Sequence, residues 1–431
     1  MLENEFHIDQ QSVVSLVSVI SPRMNGHTTE KESEDSLYEL GELVRTLGLE
    51  QGESYTQHLK KINAGTILGR GKLEEIATSA KEGGSSLLVF DFELTSGQIK
   101  NIKKITGLSV IDRCHIILEI FSLHARTKEA KLQIEIARMQ YILPRLSGFW
   151  GHLGRQRGGI GVKGGEGEQQ IELDRRIIRE RVEHLKRQLT AVVISRKEQK
   201  KRRQKVAVTA ALVGYTNSGK SSIMNRLCQV DMLEEDKLFA TLDSSYRMLN
   251  PDTKPPMIMI DTVGFISNLP NTLIDGFKTT LESALEADLL VIICDISDPN
   301  YLKHLEVTHS VLQELGVGEK DQLVVFNKKD LLTDRFRGKI VQRQHAGSVL
   351  VSSFDSNDMQ QLKADIIDYF LNKQTHYELF IPYSDGAAHS VVTSKTNILK
   401  RTPMEKGIFY RVRVPDFILE KSVLTNYLTL T

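Results

Sequence analysis

The stretch from Val206 to Asn225, VAVTAALVGYTNSGKSSIMN, constrains this chain more than any other. An apolar run of strand character enters a loop bounded by glycine, and a helix begins directly after it. Gly214, Gly219, Lys220 and Ser221 fill the spacing G-x-x-x-x-G-K-[ST]. A tight loop of this kind lets several backbone N–H groups converge on phosphate oxygens. The helix that follows aims its positive end at the same anion. Lys220 can reach the outer phosphates, and Ser221 offers a hydroxyl to Mg²⁺. The bland alternative is a Gly-rich turn with an incidental lysine. The strand before and the helix after favour the phosphate loop, with contacts expected from Gly214, Tyr215, Thr216, Asn217, Ser218, Gly219, Lys220, Ser221 and Ser222.

With 431 residues the chain is too long for a single core. We expect an α/β domain over 1–115, a helical hairpin over 116–205 with a Gly-rich basic loop at 148–167, a nucleotide-binding α/β domain over 206–373, and a small α+β domain over 374–431. The formal net charge of +1 does not mark a nucleic-acid binder. Local charge is more informative. Cys114, Cys228 and Cys294 have no ligand spacing and suggest no disulfide framework, which fits a reducing compartment. No apolar stretch approaches the roughly 18–20 residues that span a bilayer. The first residues lack the pattern of a signal peptide. A cytoplasmic protein is expected.

In the first domain, Ser12–Ser21, Leu87–Phe90 and Ser109–Asp112 read as strands. Pro22–Asp35 reads as a loop, and Leu37, Leu40, Leu43, Val44 and Leu47 recur at helical spacing before Gly48. The LGRGK turn at Leu68–Lys72 and the stretch Gln98–Ile105 lead to further helices. The LGRGK turn could grip phosphate, but a plain turn is the commoner use of such a sequence. Strand and helix alternate, so a parallel sheet is expected.

Arg126–Leu143 reads as one helix closed by Pro144, and a second long helix runs from about Ile171 to about Lys205. Two long helices joined by one loop predict an antiparallel hairpin. The joining loop, GFWGHLGRQRGGIGVKGGEG, carries Trp150, His152, Arg155, Arg157 and Lys163 among its glycines. A loop this long is seldom a mere connector. Cations and an aromatic on permissive backbone suit folded RNA. The alternative is a solvated loop without a ligand. The basic run Arg196–Lys205 is as readily a charged linker as an RNA contact.

Five apolar runs of strand length build the next domain: Val206–Val213, Met257–Asp261, Leu289–Asp295, Leu323–Phe326 and Val349–Ser352. Such a doubly wound sheet binds ligands at the carboxyl ends of its strands. Asp261, Thr262, Val263 and Gly264 follow the second run. Asp261 can hold Mg²⁺ through water, and Gly264 can give its N–H to a terminal phosphate. Thr241, with Phe239, Ala240, Leu242 and Asp243 around it, lies between these motifs, where its hydroxyl would complete the Mg²⁺ shell as a switch. Asn327, Lys328, Lys329 and Asp330 follow the fourth run. The Asp330 carboxylate can accept from the ring N–H and amine of guanine, a donor pair that adenine lacks. Ser352, Ser353 and Phe354 end the fifth run, where a backbone N–H would meet the guanine carbonyl. The motif order predicts a GTP site with Lys220, Thr241 and Gly264 as catalytic groups and Ser221, Thr241 and Asp261 around Mg²⁺. Phe265 stands where many GTPases carry a water-orienting Gln, so a slow intrinsic rate is expected. Asn217 is the candidate to hold K⁺ near the phosphates.

The chain resembles the HflX family of translational GTPases. The likeness rests on VIDRCHIILEIF, EAKLQIEIARMQYILPRLSG, GGEGEQQIELDRR, GYTNSGKSSIMNRL, LFATLD, DTVGFISNLP and NKKD, which cover most of residues 37–330 in order. The 374–431 tail resembles the family's C-terminal domain more weakly. The resemblance implies binding to the large ribosomal subunit and GTP-dependent splitting or rescue of stalled ribosomes under stress. It implies that the hairpin loop reaches toward the peptidyl-transferase centre. The expected partners are GTP, GDP and the large subunit, with a monomer and no membrane span. Ser218 and Ser222 depart from the family's Ala and Thr, Ser353 from its Ala, and Glu166 from its Pro. Glu166 removes a fixed φ and adds negative charge, which would weaken RNA contact. Two other readings stand beside this one: a ribosome-assembly or RNA-binding factor gated by GTP, and an ATP-dependent RNA-remodelling enzyme. N-K-K-D argues against the last.

Overall fold

Three sheets organise the computed structural model, which describes residues 12–22, 27–146, 166–204, 207–228, 245–250, 253–267, 287–420 and 422–428. The first sheet has β1 (Val13–Ile20), β2 (Glu50–His58), β3 (Ser85–Phe90) and β4 (Ser109–Asp112) in the order β2-β1-β3-β4, all parallel. Its β2, EQGESYTQH, is a polar edge strand. It carries no apolar run, so its own residues do not mark it as a strand.

Helix α1 (Glu30–Thr46) begins inside the segment expected to be a loop. The cause is local. Thr29 and Glu32 form a capping box in which the Thr29 hydroxyl accepts from the Glu32 N–H and the Glu32 carboxylate accepts from the Thr29 N–H, each at 3.2 Å. Gly48 follows the helix at φ +77°, a stop that suits glycine. Helices α2 (Arg70–Glu82) and α3 (Ser96–Thr106) cover the sheet and close a core of Val17, Leu73, Leu88, Phe90 and Ile102. The LGRGK turn leads directly into α2.

Helix α4 (Arg113–His124) was not foreseen, and the boundary expected at residue 115 falls inside it. Ile116, Ile117, Ile120 and Phe121 are all buried, so no single apolar stripe marks it as a helix. Helix α5 (Lys128–Ile142) is capped by the Thr127 hydroxyl and passes into a 3₁₀ turn, Leu143–Arg145, that contains Pro144. Helix α6 (Glu166–Gln204) starts at Glu166, earlier than Ile171. It buries Ile178, Val182 and Leu185 along one stripe, and Arg181 meets Glu135 of α5 at 2.7 Å. The basic loop residues 148–165 lie outside the described residues.

The second sheet comprises β5 (Val208–Gly214), β6 (Ser245–Asn250), β7 (Met257–Asp261), β8 (Leu289–Asp295), β9 (Gln322–Asn327) and β10 (Val349–Leu350). Their order is β10-β9-β8-β5-β7-β6, with only β6 antiparallel to its neighbour. Helices α7 (Lys220–Cys228), α8 (Tyr301–Glu314), α9 (Arg335–Gln344) and α10 (Ser356–Asn372) alternate with the strands. Leu212, Ile223, Met259, Val291, Leu362 and Phe370 share one core. The chain leaves β5 toward β7 and later returns to β8 on its other side. That reversal opens a crevice at the carboxyl end of β5.

The third sheet, β11 (Thr375–Pro382), β12 (Asn397–Met404) and β13 (Gly407–Val414), is antiparallel in the order β11-β13-β12. Helices α11 (Gly386–Lys395) and α12 (Asp416–Glu420) complete it over Leu379, Val392, Tyr410 and Val412. β12 is an exposed edge strand guarded by Lys400, Arg401 and Pro403, which again leaves no apolar signature. The Lys254 carbonyl, before β7, accepts from Gln374 and Asn397 and so joins this domain to the second sheet. The molecule is therefore α/β and multidomain, with a small α+β C-terminal part.

Candidate nucleotide site

The loop from Gly214 to Lys220 leaves the central strand β5 and enters α7 at Lys220. Three backbone features shape it. Gly214 has φ +148°, and a Cβ there would lie 2.2 Å from the Ile293 carbonyl oxygen. Gly219 has φ +90°, and a Cβ there would lie 2.2 Å from Asn327 Nδ2. Asn217 takes the left-handed region at φ +57°. Both glycines are thus demanded by space as well as by conformation.

Lys220 is buried, and its Nζ donates to the carbonyls of Tyr215 at 2.6 Å and Gly214 at 3.2 Å. Burial pulls the ammonium down to about 8, while the Asp261 carboxylate pushes the other way. Ser221 Oγ donates to Asp261 Oδ2 at 2.8 Å, joining the start of α7 to the end of β7. Hydroxyl and carboxylate are hard oxygen donors, a pair that fits Mg²⁺. Thr262 is fully buried, and its hydroxyl donates to the Leu212 carbonyl at 2.6 Å. Val263 is buried beside it. Gly264 comes so close to the phosphate loop that a Cβ on it would lie 2.8 Å from Thr216 Cα and 2.9 Å from Lys220 Nζ. The next residue bridges the two loops: Phe265 N–H donates to the Gly214 carbonyl at 3.0 Å and Thr216 N–H to the Phe265 carbonyl at 2.7 Å.

Asn327, at the end of β9, ties three segments together. Its Nδ2 donates to the Ser218 carbonyl at 3.0 Å, and its Oδ1 accepts from the Ser353 N–H at 3.1 Å. Lys328 takes φ +64° and reaches Asp295 at 2.8 Å. Lys329 donates to Asp358 at 2.5 Å, and the same carboxylate accepts the Ser352 N–H at 2.7 Å. Asp330 is exposed on a 3₁₀ turn, and Phe354 is exposed nearby in the chain. The structure therefore brings 214–222, 261–264, 327–330 and 352–354 to the strand ends of one sheet. Phe239, Ala240, Thr241, Leu242 and Asp243 lie outside the described residues.

Three family models match the chain in succession: "GTP-binding GTPase N-terminal" over residues 34–122, "GTP-binding GTPase Middle Region" over 124–203, and "50S ribosome-binding GTPase" over 209–328. The GTPase HflX of Alkalihalophilus pseudofirmus is 39% identical over 370 residues, which is 86% of each chain. The GTPase HflX of Magnetococcus marinus is 41% identical over 353 residues, 81% of each. That of Chlamydia pneumoniae is 41% identical over 360 residues, covering 82% of this chain and 76% of its own. This chain belongs to the HflX GTPase family. It binds guanine nucleotide and hydrolyses GTP.

Several neighbours of this HflX site were not legible in the sequence. Asp295 and Asp358 hold the two lysines of N-K-K-D, yet neither falls in a spaced motif with them. Tyr215 stacks on His304 of α8 with ring centroids 3.9 Å apart and planes 8° from parallel. His304 lies far along the chain from the phosphate loop, so only the packing of α8 beside β5 brings the rings together. The end position of Asp295 on β8 was the one available hint, because strand ends line the crevice in this architecture. Among the described residues, no group of three or more His, Cys, Asp or Glu side chains could hold a metal, and no helix is long and apolar enough to cross a membrane.

Proposed function

We propose that this HflX-family GTPase binds the large ribosomal subunit and uses GTP binding and hydrolysis to split or rescue stalled ribosomes, under stress above all, in the cytoplasm. The observation that carries the reading is the succession of three family matches, over residues 34–122, 124–203 and 209–328. The match brings a basic, Gly-rich loop and a GTPase domain into one chain. Arg155, Arg157 and Lys163 with Trp150 supply what an RNA surface attracts: cations for phosphate and an aromatic for bases.

The nucleotide's phosphates would lie on the 214–221 loop, with Lys220 and the Gly264 N–H toward the terminal one. Asp330 would choose guanine. Ser221 and Asp261 would hold Mg²⁺, with Thr241 completing the shell. Bound there, Mg²⁺ would supply positive charge against the charge that develops on the phosphates. Asn217 would hold K⁺, which predicts faster hydrolysis in K⁺ than in Na⁺. Phe265 offers no hydrogen bond to water, so the ribosome is the expected stimulator.

The test is a density gradient. Assembled ribosomes incubated with the protein and GTP should release free subunits, and GDP should not support the release. Ribosomes that bind the protein but stay whole would instead favour an assembly or RNA-binding factor gated by GTP.

A further inference from the structure

The third sheet leaves one face open. Along β11 and β13 burial alternates: Leu379, Ile381, Tyr410 and Val412 are buried with α11 and α12, and the residues between them are not. The register sets those residues in rows across the sheet. Phe380 of β11 stands opposite Phe409 of β13, which stands opposite Thr402 of β12. The next row is Glu378, Arg411 and Lys400, and the one after it is His376, Arg413 and Asn397. Rows on one face follow each other at about 7 Å. Directly opposed residues have Cβ atoms about 5 Å apart.

This face is costly to leave bare. Lys400 and Arg411 are like charges directly opposed, which destabilises a sheet. Glu378 answers Arg411 at 2.5 Å. Arg413 Nε donates to His376 Nε2 at 2.9 Å, a bond that only the uncharged imidazole accepts. One carboxylate on the face thus meets three cations. In the row beside them, Phe380 and Phe409 are half-buried, so two adjacent rings stay partly in water.

We propose that this open face binds single-stranded RNA, with bases stacked on Phe380 and Phe409 and phosphates on Lys400, Arg411 and Arg413. Aromatic side chains on a sheet face hold unpaired bases of any identity, and cations beside them track the backbone. The step from one row to the next is within the reach of a single nucleotide, from base to phosphate. A lipid surface fits less well, because two half-buried rings and the exposed Met404 offer little apolar area. The face lies beyond residue 328, where the family matches end, and shares no residue with the basic loop at 148–167. That the strand is RNA rather than DNA rests on the ribosomal reading; the stacking and the phosphate contacts do not.

The probe is a fluorescein-labelled RNA of about eight nucleotides without self-complementarity, followed by anisotropy at several salt concentrations. Each variant is made in the full chain and in the chain lacking residues 151–162, so that binding by the basic loop is set aside. Phe380→Leu with Phe409→Leu should weaken binding about tenfold or more, the loss of a stacked base, with the salt slope unchanged. Phe380→Tyr with Phe409→Tyr should keep the affinity. Lys400→Gln and Arg413→Gln should each lower the salt slope by about 0.7, the value of one phosphate contact on a single strand. GDP affinity should be the same in all of them. Leucine variants that bind as tightly as the unsubstituted chain would overturn the proposal. So would tyrosine variants as weak as the leucine ones, tighter binding of duplex RNA or of DNA of the same sequence, or substitutions that abolish self-association or binding to anionic vesicles and spare RNA. If the leucine pair unfolds, Lys400→Gln at its exposed position decides, and an unchanged slope would overturn the proposal. Ribosomes left whole in the density gradient would fail the ribosomal reading without altering these affinities.

Discussion

Lys220 shows how one buried side chain couples folding, binding and protons. In the free protein burial holds its ammonium at about 8, against an ordinary value of 10.5. Between those values the unfolded chain keeps a proton that the folded chain has lost, so the stability of the free protein rises with pH across the window. Bound phosphates reverse the sign, because their negative charge favours the ammonium. GDP binding at pH 8 should therefore take up about half a proton at Lys220, and affinity should fall as pH rises further. Calorimetry in buffers of different ionisation heats measures that uptake. An uptake that stays at zero from pH 7 to 9.5 would remove Lys220 from the phosphates. Asp330 tests the other end of the nucleotide. It is exposed, and its carboxylate is the group proposed to accept from guanine. Asp330→Asn should weaken GTP by roughly a hundredfold or more and favour a xanthine nucleotide, whose ring carbonyl accepts from the new amide. Competition between the two triphosphates reads the switch. The motif residues themselves were legible because their chemistry is local, a charge or hydroxyl at a fixed spacing. Their partners Asp295, His304 and Asp358 were not, because no spacing links them.

At the scale of elements, the strand-to-helix unit β5–α7 depends on two close approaches that only glycine allows. The contact of Gly214 with the Ile293 carbonyl is backbone against backbone, at the 2.2 Å a Cβ would reach. No side chain can rotate away to relieve it. Gly214→Ala should cost more than about 2 kcal/mol and spread β5 from β8, lowering both the melting temperature and GDP affinity. Thermal unfolding with and without GDP checks this. Alanine at Gly71, where a Cβ meets nothing within 4 Å, should be nearly neutral in the same assay. Elements with a long apolar run could be read ahead. β1, β3, β5 and β8 are buried and their sequences say so. β2 and β12 are polar edges whose strand state comes from pairing with β1 and β13, and pairing leaves no mark on an edge strand's own residues. α4 failed for the opposite reason, being buried on every side.

Across the whole molecule, contacts divide the chain into two compact units, one built mainly from Met1–Ala191 and the other carrying the nucleotide site and the C-terminal sheet. The basic loop proposed for the ribosome and the nucleotide site thus belong to different parts of one chain. Deleting residues 151–162 should leave GDP affinity and basal hydrolysis unchanged while abolishing stimulation by ribosomes. Hydrolysis measured with and without purified large subunits checks this. Stimulation that survives the deletion would move the stimulating contact elsewhere, and loss of GDP binding would mean the loop serves the fold.

Residue order alone was enough to announce a guanine-nucleotide domain, because phosphate, base and magnesium each demand a particular side chain at the end of a particular strand. It also announced the helices on either side of the basic loop, through blocks of charged and apolar residues and the closing Pro144. Packing decided the rest. Lys220 turns back on its own loop, Asn327 spans three segments, and Thr216 lies against Gly264 with a hydroxyl left unpaired. Those relations arise only when distant strands align in one sheet, and hydrogen bonds between residues a hundred positions apart have no counterpart in the spacing of the chain.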